Sequence, residues 1–264
     1  MKINLRIPGQ FCAGLGDATT WAWIANGAQN PIEFYADGQN GSILESFGQR
    51  ITNDPTNAIN PSSCYTTELD QRGKTPRVKL WCDVLGIKST PKRPVWPGTS
   101  ETKKKRVVLC PQSHFRCRTW PAAYWLDLNW SLIARGYEVV FVLESDSPDF
   151  AMRGPSFAHW GCNFHQVAGL YRSAGCVIAN DSFPAHFAGT LGIPTIALCG
   201  PTKDTVFNHI DNVTPMYSTV AKCIGCHFGW PYRDQCDVSC QALNSLLPDQ
   251  VIECMESIIE NRLD

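Results

Sequence analysis

Two stretches of this 264-residue chain hold residues whose types and spacing could do chemistry. The first runs Ile178-Ala-Asn-Asp-Ser-Phe-Pro-Ala-His-Phe-Ala-Gly-Thr-Leu-Gly-Ile-Pro-Thr-Ile-Ala-Leu-Cys-Gly-Pro-Thr202. An apolar strand ends at Asn180-Asp181 and a helix starts almost at once. Its first turn offers unpaired backbone N–H groups and the positive end of the helix dipole, a natural place for phosphate oxygens. A second strand follows and ends in Gly200-Pro201-Thr202, and ligands of open α/β sheets gather at the carboxyl ends of strands. Asp181, Ser182, His186, Gly200 and Thr202 are therefore candidate binding residues. The plainer alternative is that Asp181 and Ser182 only cap the helix, which leaves His186 and the Gly-Pro-Thr loop unexplained.

The second stretch is Cys223-Ile-Gly-Cys226, nine residues, then Cys236-Asp-Val-Ser-Cys240. Two closely spaced pairs can deliver four thiolates to a tetrahedral ion, zinc or iron, and four thiolates close the site, so the expected role is structural. His227 is a substitute ligand, and four free thiols or two disulfides are the alternatives. Trp230 and Tyr232, inside the same loop, read as packing or as ligand stacking.

Composition sets the frame around these motifs. Hydrophobic residues make up 44% and charged residues 18%, enough for a buried core and too apolar for a disordered chain. A net charge of −1 gives no global attraction to nucleic acid or anionic lipid. No apolar run approaches the ~20 residues of a membrane span, and the first nine residues hold no signal-peptide core. Thirteen Cys cannot all pair within one chain and suit a reducing cytoplasm. Cys110, Cys176 and Cys199 lie in or beside apolar strands as core residues.

The elements that must position the motifs alternate. The pattern predicts a strand over Ile3–Ile7, a turn-rich loop over 8–15, a helix from Asp17 to near Gly27, a strand over 33–36 and a helix over 41–48. Residues 50–75 show no period. A helix is expected over 77–86, with Val78, Trp81, Cys82 and Leu85 on one face. Residues 87–105, with Pro91, Pro94 and Pro97, read as a linker, and the basic run 103–106 as its solvated face. Beyond it come a strand over 106–110, a polar loop over 111–119, a helix over 121–135 and a strand over Glu138–Leu143. A helix over 165–174, a strand over 176–179, a helix over 183–191 and a strand over 194–198 follow. Such alternation argues for parallel βαβ units. A last helix is expected over 248–261, with Pro248 in its first turn.

The 178–202 segment resembles the donor-binding signature of glycosyltransferase family 9, the bacterial heptosyltransferases: Asn/Ser-Asp-Ser/Thr-Gly-x-x-His, a small-residue helix, Gly-x-Pro and a Gly-Pro-Thr loop. Asp181, Ser182, His186, Gly192, Pro194, Gly200, Pro201 and Thr202 fit it, while Phe183 replaces the usual Gly. Cys110-Pro-Gln-Ser-His-Phe-Arg-Cys-Arg-Thr-Trp-Pro121 resembles the family loop ending in Lys-x-Trp-Pro, with Arg118 at the Lys position. Gly14-Leu-Gly-Asp17 resembles the amino-terminal Gly-x-Gly-Asp of the acceptor side. Some protein-directed members carry a four-Cys iron site near the Cys-rich segment.

The resemblance implies an α/β fold of the GT-B type, two Rossmann-like domains facing a cleft. A reduced acceptor-side domain would span 1–100 and a donor domain with the Cys loop 104–264. It also implies transfer of a heptose or hexose from a nucleotide-diphosphate sugar, with inversion and no catalytic metal. Such chemistry needs a base for the acceptor hydroxyl and cations or amides for the departing diphosphate. Asp17 is expected as the base, with Gly14 and Gly16 opening the acceptor-side loop, although an N-cap role also suits Asp17. Arg118, with Ser113 and His114 in its loop, is expected on the diphosphate, and Glu144, after the 138–143 strand, on the ribose. Lys203 and Asp204 would close the site.

The acceptor would be a saccharide, a lipid-linked saccharide or a protein. The location would be the cytoplasm, with the inner membrane face and oligomers compatible. Two rivals are a phage or nucleic-acid-directed sugar transferase and a non-catalytic nucleotide-sugar-binding module stabilised by a metal.

Overall fold

The computed structural model describes residues 2–7, 15–36, 38–98, 102–144, 148–150, 154, 156–226 and 240–261. Two compact units form: Met1–Gly98 with Asp204–Asp211, and Thr99–Lys203 with Asn212–Asp264. No sequence pattern announces that Asp204–Asp211 clusters with the first unit. Among the described residues, no helix is long and apolar enough to cross a membrane.

The first unit carries a three-stranded parallel sheet in the order β1-β2-β3, made of β1 (Ile3–Ile7), β2 (Ile32–Ala36) and β3 (Arg50–Ile51). Leu5 and Ile7 are fully buried while Arg6 between them is exposed, the period of two that one covered face demands. Helix α1 (Leu15–Gly27) buries every residue from Ala18 to Ile24, so its middle is covered on all sides, with the Thr19 and Thr20 hydroxyls satisfied by the Gly16 carbonyl. Its Trp21 stacks on Trp81 of α4 (Arg77–Leu85), with ring centroids 4.7 Å apart. Gly86, at φ 64°, ends α4 in the left-handed conformation. Helix α2 (Gly38–Ser46) follows β2, and the unperiodic stretch 50–75 contains β3 and α3 (Ser62–Asp70).

The Pro-rich stretch before residue 98 is not a loose linker. Ser89 Oγ donates to the Ile24 carbonyl at 2.7 Å, Lys92 N to the Trp23 carbonyl at 3.2 Å and Asn26 Nδ2 to the Arg93 carbonyl at 2.9 Å. Trp96, 5% exposed, sits edge-on to Phe47. Prolines that forbid regular structure do not forbid packing against a helix.

The second unit is built on a six-stranded, all-parallel sheet in the order β6-β5-β4-β7-β8-β9. Its strands are β4 (Lys103–Cys110), β5 (Glu138–Leu143), β6 (Phe157–Trp160), β7 (Ala174–Asn180), β8 (Thr195–Leu198) and β9 (Val213–Met216). The helices are α5 (Ala122–Ala134), α6 (Phe164–Arg172), α7 (Phe183–Thr190), the short α8 (Gln241–Asn244) and α9 (Pro248–Glu260). The chain winds outward from β4 in one direction and from β7 in the other, a doubly wound sheet. Val107, Leu109, Phe141 and Ile178 of the central strands pack with Trp125 and Leu128 of α5 in one buried cluster. Each such side chain contributes about 1.5–3 kcal/mol. An Asn163–Gln166 capping box starts α6.

The basic run read as a solvated face is the start of the central strand. Lys103 pairs with Ala174 across β4 and β7, with a register shift before Val107. Lys103 and Lys105 keep exposed side chains, while Arg106 is largely covered and donates to Glu138 Oε1 at 2.6 Å.

Candidate functional site

In the second unit the strand order reverses between β4 and β7, which are hydrogen-bonded neighbours. The connections beyond their carboxyl ends run to opposite sides, leaving the crevice where ligands of open sheets bind. Asn180, the last residue of β7 and fully buried, ties this crevice together. Its Oδ1 accepts the Trp120 backbone N–H at 3.0 Å, and its Nδ2 donates to the Pro111 carbonyl at 2.6 Å. Both ends of the β4–α5 loop are thereby fixed to the tip of β7.

Asp181 follows, 2% exposed. The Thr202 hydroxyl donates to its Oδ2, and Arg118 Nη1 lies 3.9 Å from the same oxygen. Three of the residues singled out in the sequence thus converge from three segments: the β4–α5 loop, the end of β7 and the loop after β8. Arg118 ends a short 3-10 turn (Arg116–Arg118), and its guanidinium lies over the Phe115 ring at 5.2 Å. Burial, first, and the Asp181 charge raise the neighbouring Cys199 thiol well above its ordinary range.

Capping does not account for these residues. Ser182 holds the N-cap position of α7 with extended backbone, yet its side chain makes no capping bond, and Ser182 Oγ is buried without a hydrogen-bond partner. Asp181 turns to Thr202 and Arg118 instead. His186, one turn into α7, is 4% exposed. Phe183, where the motif has Gly, stacks on Phe187 at 5.2 Å and meets Phe164 of α6 edge-on at 5.6 Å. Its ring is taken up by an aromatic cluster.

The remaining positions divide. Glu144 is exposed at the end of β5, and its N–H donates to Gln112 Oε1 at 2.5 Å. Ser113 is half-buried, and His114, exposed, stands edge-on to Phe115. Gly200 has a packing reason: a Cβ there would meet Cys240 Sγ at 2.7 Å and Leu243 Cγ at 2.8 Å. Lys203 lies in the second unit, and its side chain fills the space where a Cβ on Gly225 would go. Asp204 belongs to the first unit.

Cys223 and Cys226 share one turn, in which Cys226 N donates to the Cys223 carbonyl at 3.3 Å, and Cys240 is buried beside Gly200. Among the described residues, no three His, Cys, Asp or Glu gather closely enough to hold a metal ion. Cys236, His227, Trp230, Tyr232 and Gly14 lie outside the described residues. None of the described cysteines is in a disulfide.

In the first unit, Asp17 stands in the first turn of α1, its side chain 21% exposed. Arg77 Nη1 donates to Asp17 Oδ1 at 3.0 Å, and Arg77 Nε donates to both oxygens of Glu68, at 2.9 and 3.2 Å. Burial works to lower the proton affinity of Arg77, but Glu68 and Asp17 raise it further, so the guanidinium stays charged. Burial, first, and then the Asp17 charge hold the Tyr65 phenol above its ordinary range. The Gly16 carbonyl is taken by the hydroxyls of Thr19 at 2.7 Å and Thr20 at 3.1 Å. Neither Arg77 nor Glu68 is marked by the sequence as a site residue. They lie 60 and 51 positions from Asp17, too far apart for any local spacing to reveal.

The family model described as glycosyltransferase family 9 (heptosyltransferase) matches residues 82–230, more than half of the chain. No curated protein matches it. Among solved structures, E. coli ADP-heptose lps heptosyltransferase II is 16% identical, with all of both chains covered and a TM-score of 0.61. E. coli heptosyltransferase WaaC with ADP-2-deoxy-2-fluoro heptose is 11% identical, covering 97% of this chain and 99% of that one, at a TM-score of 0.63. The iron-containing dodecameric glycosyltransferase TibC from enterotoxigenic E. coli H10407 is 14% identical, covering all of this chain and 78% of that one, at 0.72. At such identities the likeness shows the fold, and that fold is the α/β GT-B type expected from the sequence.

Proposed function

The chain belongs to glycosyltransferase family 9, the heptosyltransferases, and we propose that it moves a heptose or hexose from a nucleotide-diphosphate sugar to an acceptor hydroxyl, with inversion. The observation that carries this reading is the convergence of Arg118, Asp181 and Thr202 beside the uncapped start of α7. Arg118 presents a fork of N–H donors suited to two phosphate oxygens. The first turn of α7 adds backbone N–H groups and the positive end of its dipole. Ser113, His114, Ser182 and His186 are assigned as further donor-side contacts, and Glu144 to the ribose. No catalytic metal belongs to this reading.

In the transfer step the acceptor oxygen attacks the anomeric carbon while the bond from that carbon to the diphosphate oxygen breaks. The hydroxyl proton passes to Asp17, and the electron pair of the broken bond leaves with the diphosphate, whose charge Arg118 and α7 meet. Inversion follows from a single displacement. The first unit is assigned to the acceptor and the second to the donor.

ADP-heptose is the first donor to test, because solved relatives carry ADP or an ADP-heptose analogue. Thermal shift against ADP-, GDP-, UDP- and CDP-sugars should give a selective stabilisation by the ADP series. A shift with none of the four, and no sugar transfer to any acceptor of a saccharide, lipid-linked saccharide and protein panel, would defeat the reading. Transfer to DNA alone would instead support a nucleic-acid-directed enzyme.

We also propose a structural iron or zinc at Cys223, Cys226, Cys236 and Cys240. Support comes from the shared turn of Cys223 and Cys226 and from the iron in TibC. Metal analysis of the purified chain, with a Cys236→Ser variant beside it, tests this. About one equivalent in the wild type and a loss in the variant are expected.

A further inference from the structure

Asp17 stands at one end of a chain of charges that sugar transfer does not by itself require. Glu68 of α3, 3% exposed, accepts from Arg77 Nε with both oxygens, and the same guanidinium reaches Asp17 Oδ1 through Nη1. The guanidinium also lies over the Trp81 ring at 5.2 Å, and Trp81 is in turn stacked on Trp21 of α1. A planar guanidinium held at its Nε by both oxygens of a carboxylate and laid against an aromatic face has little freedom left for its remaining N–H groups. Glu68 therefore aims Arg77, and Arg77 anchors one oxygen of Asp17.

We propose that Glu68 and Arg77 are positioning residues for the base, Arg77 fixing the Asp17 carboxylate and Glu68 offsetting the guanidinium charge so that Asp17 stays basic enough to take a proton. The inference rests on the reading of Asp17 as the base. A lone buried guanidinium at hydrogen-bond distance would favour the ionised carboxylate and weaken it as a proton acceptor. With Glu68 in place the three groups sum to one negative charge.

The other charged groups of the neighbouring helices are few. Helix α3 adds Asp70, which is exposed, and the buried hydroxyl of Tyr65, which stays protonated. Helix α4 adds Lys79 and Asp83, which pair with each other in solvent at 2.5 Å. Helix α2 carries only Glu45, also exposed.

The test follows the Asp17 carboxyl by ¹³C NMR in the full chain labelled at Asp, with its signal assigned by difference against Asp17→Asn. In Glu68→Gln the Asp17 midpoint should fall by about half a pH unit or more, the effect of removing one charge held across the Arg77 guanidinium. In Arg77→Lys, which keeps a buried cation beside Glu68 but loses the fork, it should rise by about as much. Circular dichroism establishes that each variant is folded, and if Glu68→Gln is not, Arg77→Lys decides alone. A folded variant with an unmoved Asp17 midpoint would overturn the proposal. Transfer retained in Asp17→Asn would remove the base reading instead, while the titration would still report on the charge chain, so the two failures are separable.

Discussion

Asn180 at the tip of β7 accepts the backbone N–H of Trp120 at 3.0 Å, joining the entrance of α5 to the strand beside which the candidate donor site opens. The same amide donates to Pro111. Neither bond can be replaced by water, since Asn180 and Trp120 are fully buried. Asn180→Ala leaves an N–H and a carbonyl orphaned and should cost about 2–6 kcal/mol, at about 1–3 kcal/mol for each buried group left unpaired. Urea unfolding measures the loss. Since the β4–α5 loop carries Arg118, the variant should also bind ADP more weakly.

Arg118 is the next test, because its guanidinium faces a buried carboxylate and, in the proposed function, the diphosphate. Arg118→Lys keeps the charge and loses the fork, and Arg118→Ala loses both. Calorimetric titration with ADP should show affinity falling about tenfold for Lys and about a hundredfold for Ala, the range of one to two charge-assisted hydrogen bonds. Equal affinity in all three proteins would take Arg118 off the diphosphate.

How much of this was legible in the sequence depended on burial. Strands β4, β5, β7 and β8 are covered on both faces and read as continuous apolar runs such as Val107-Val108-Leu109 and Ile196-Ala197-Leu198. The two edge strands left no such trace. Phe157 of β6 is 62% exposed, and β9 holds Pro215, which only an edge tolerates. Asp181, Ser182 and Thr202 were legible because a strand end and a helix start mark them locally. The Glu68–Arg77–Asp17 chain was not, because it exists only once α1, α3 and α4 are packed together.

Gly27 shows the same long-range dependence and can be tested directly. A Cβ there would lie 1.7 Å from the Thr90 carbonyl oxygen and 3.1 Å from Pro91 Cα, both backbone atoms. Thr90 N also donates to the Gly27 carbonyl at 3.1 Å. Gly27→Ala must therefore push the Pro-rich stretch off α1. A loss of about 1–3 kcal/mol, the usual cost of overpacking, is expected in urea unfolding. An unchanged midpoint would show that 87–98 is the loose linker its prolines suggest.

Glu138 gives a pH dependence with a definite sign. The hydrogen bond from Arg106 holds its carboxyl below the ordinary value, with Lys103 adding to the effect. Being lowered in the folded state, it contributes stability that is complete above the unfolded value of about 4.3 and lost as pH falls through the folded one. Its side chain is 35% exposed, so the contribution is at most about 1 kcal/mol. Glu138→Gln should melt about 2–4 °C lower than wild type at pH 7 and converge with it toward pH 3. Arg106 keeps Ser173 Oγ as a partner in the variant, which limits the damage to the pair itself.

Asp17→Asn is the sharpest test of the proposed chemistry, because it removes the base while keeping the shape. The asparagine carbonyl can still accept from Arg77 Nη1, so the Glu68–Arg77 anchor has no reason to dissolve. Donor binding should survive, since the residues assigned to the diphosphate lie in the other unit. Transfer should not: general-base catalysis contributes about 10²–10⁴-fold, and at least a hundredfold loss of rate is expected with ADP binding within about twofold of wild type. Rate and affinity together make the result specific. A fall in both would report a damaged fold, which thermal melting would reveal. A full rate with normal binding would mean that the acceptor proton goes elsewhere and that Asp17 serves α1 and Arg77 only.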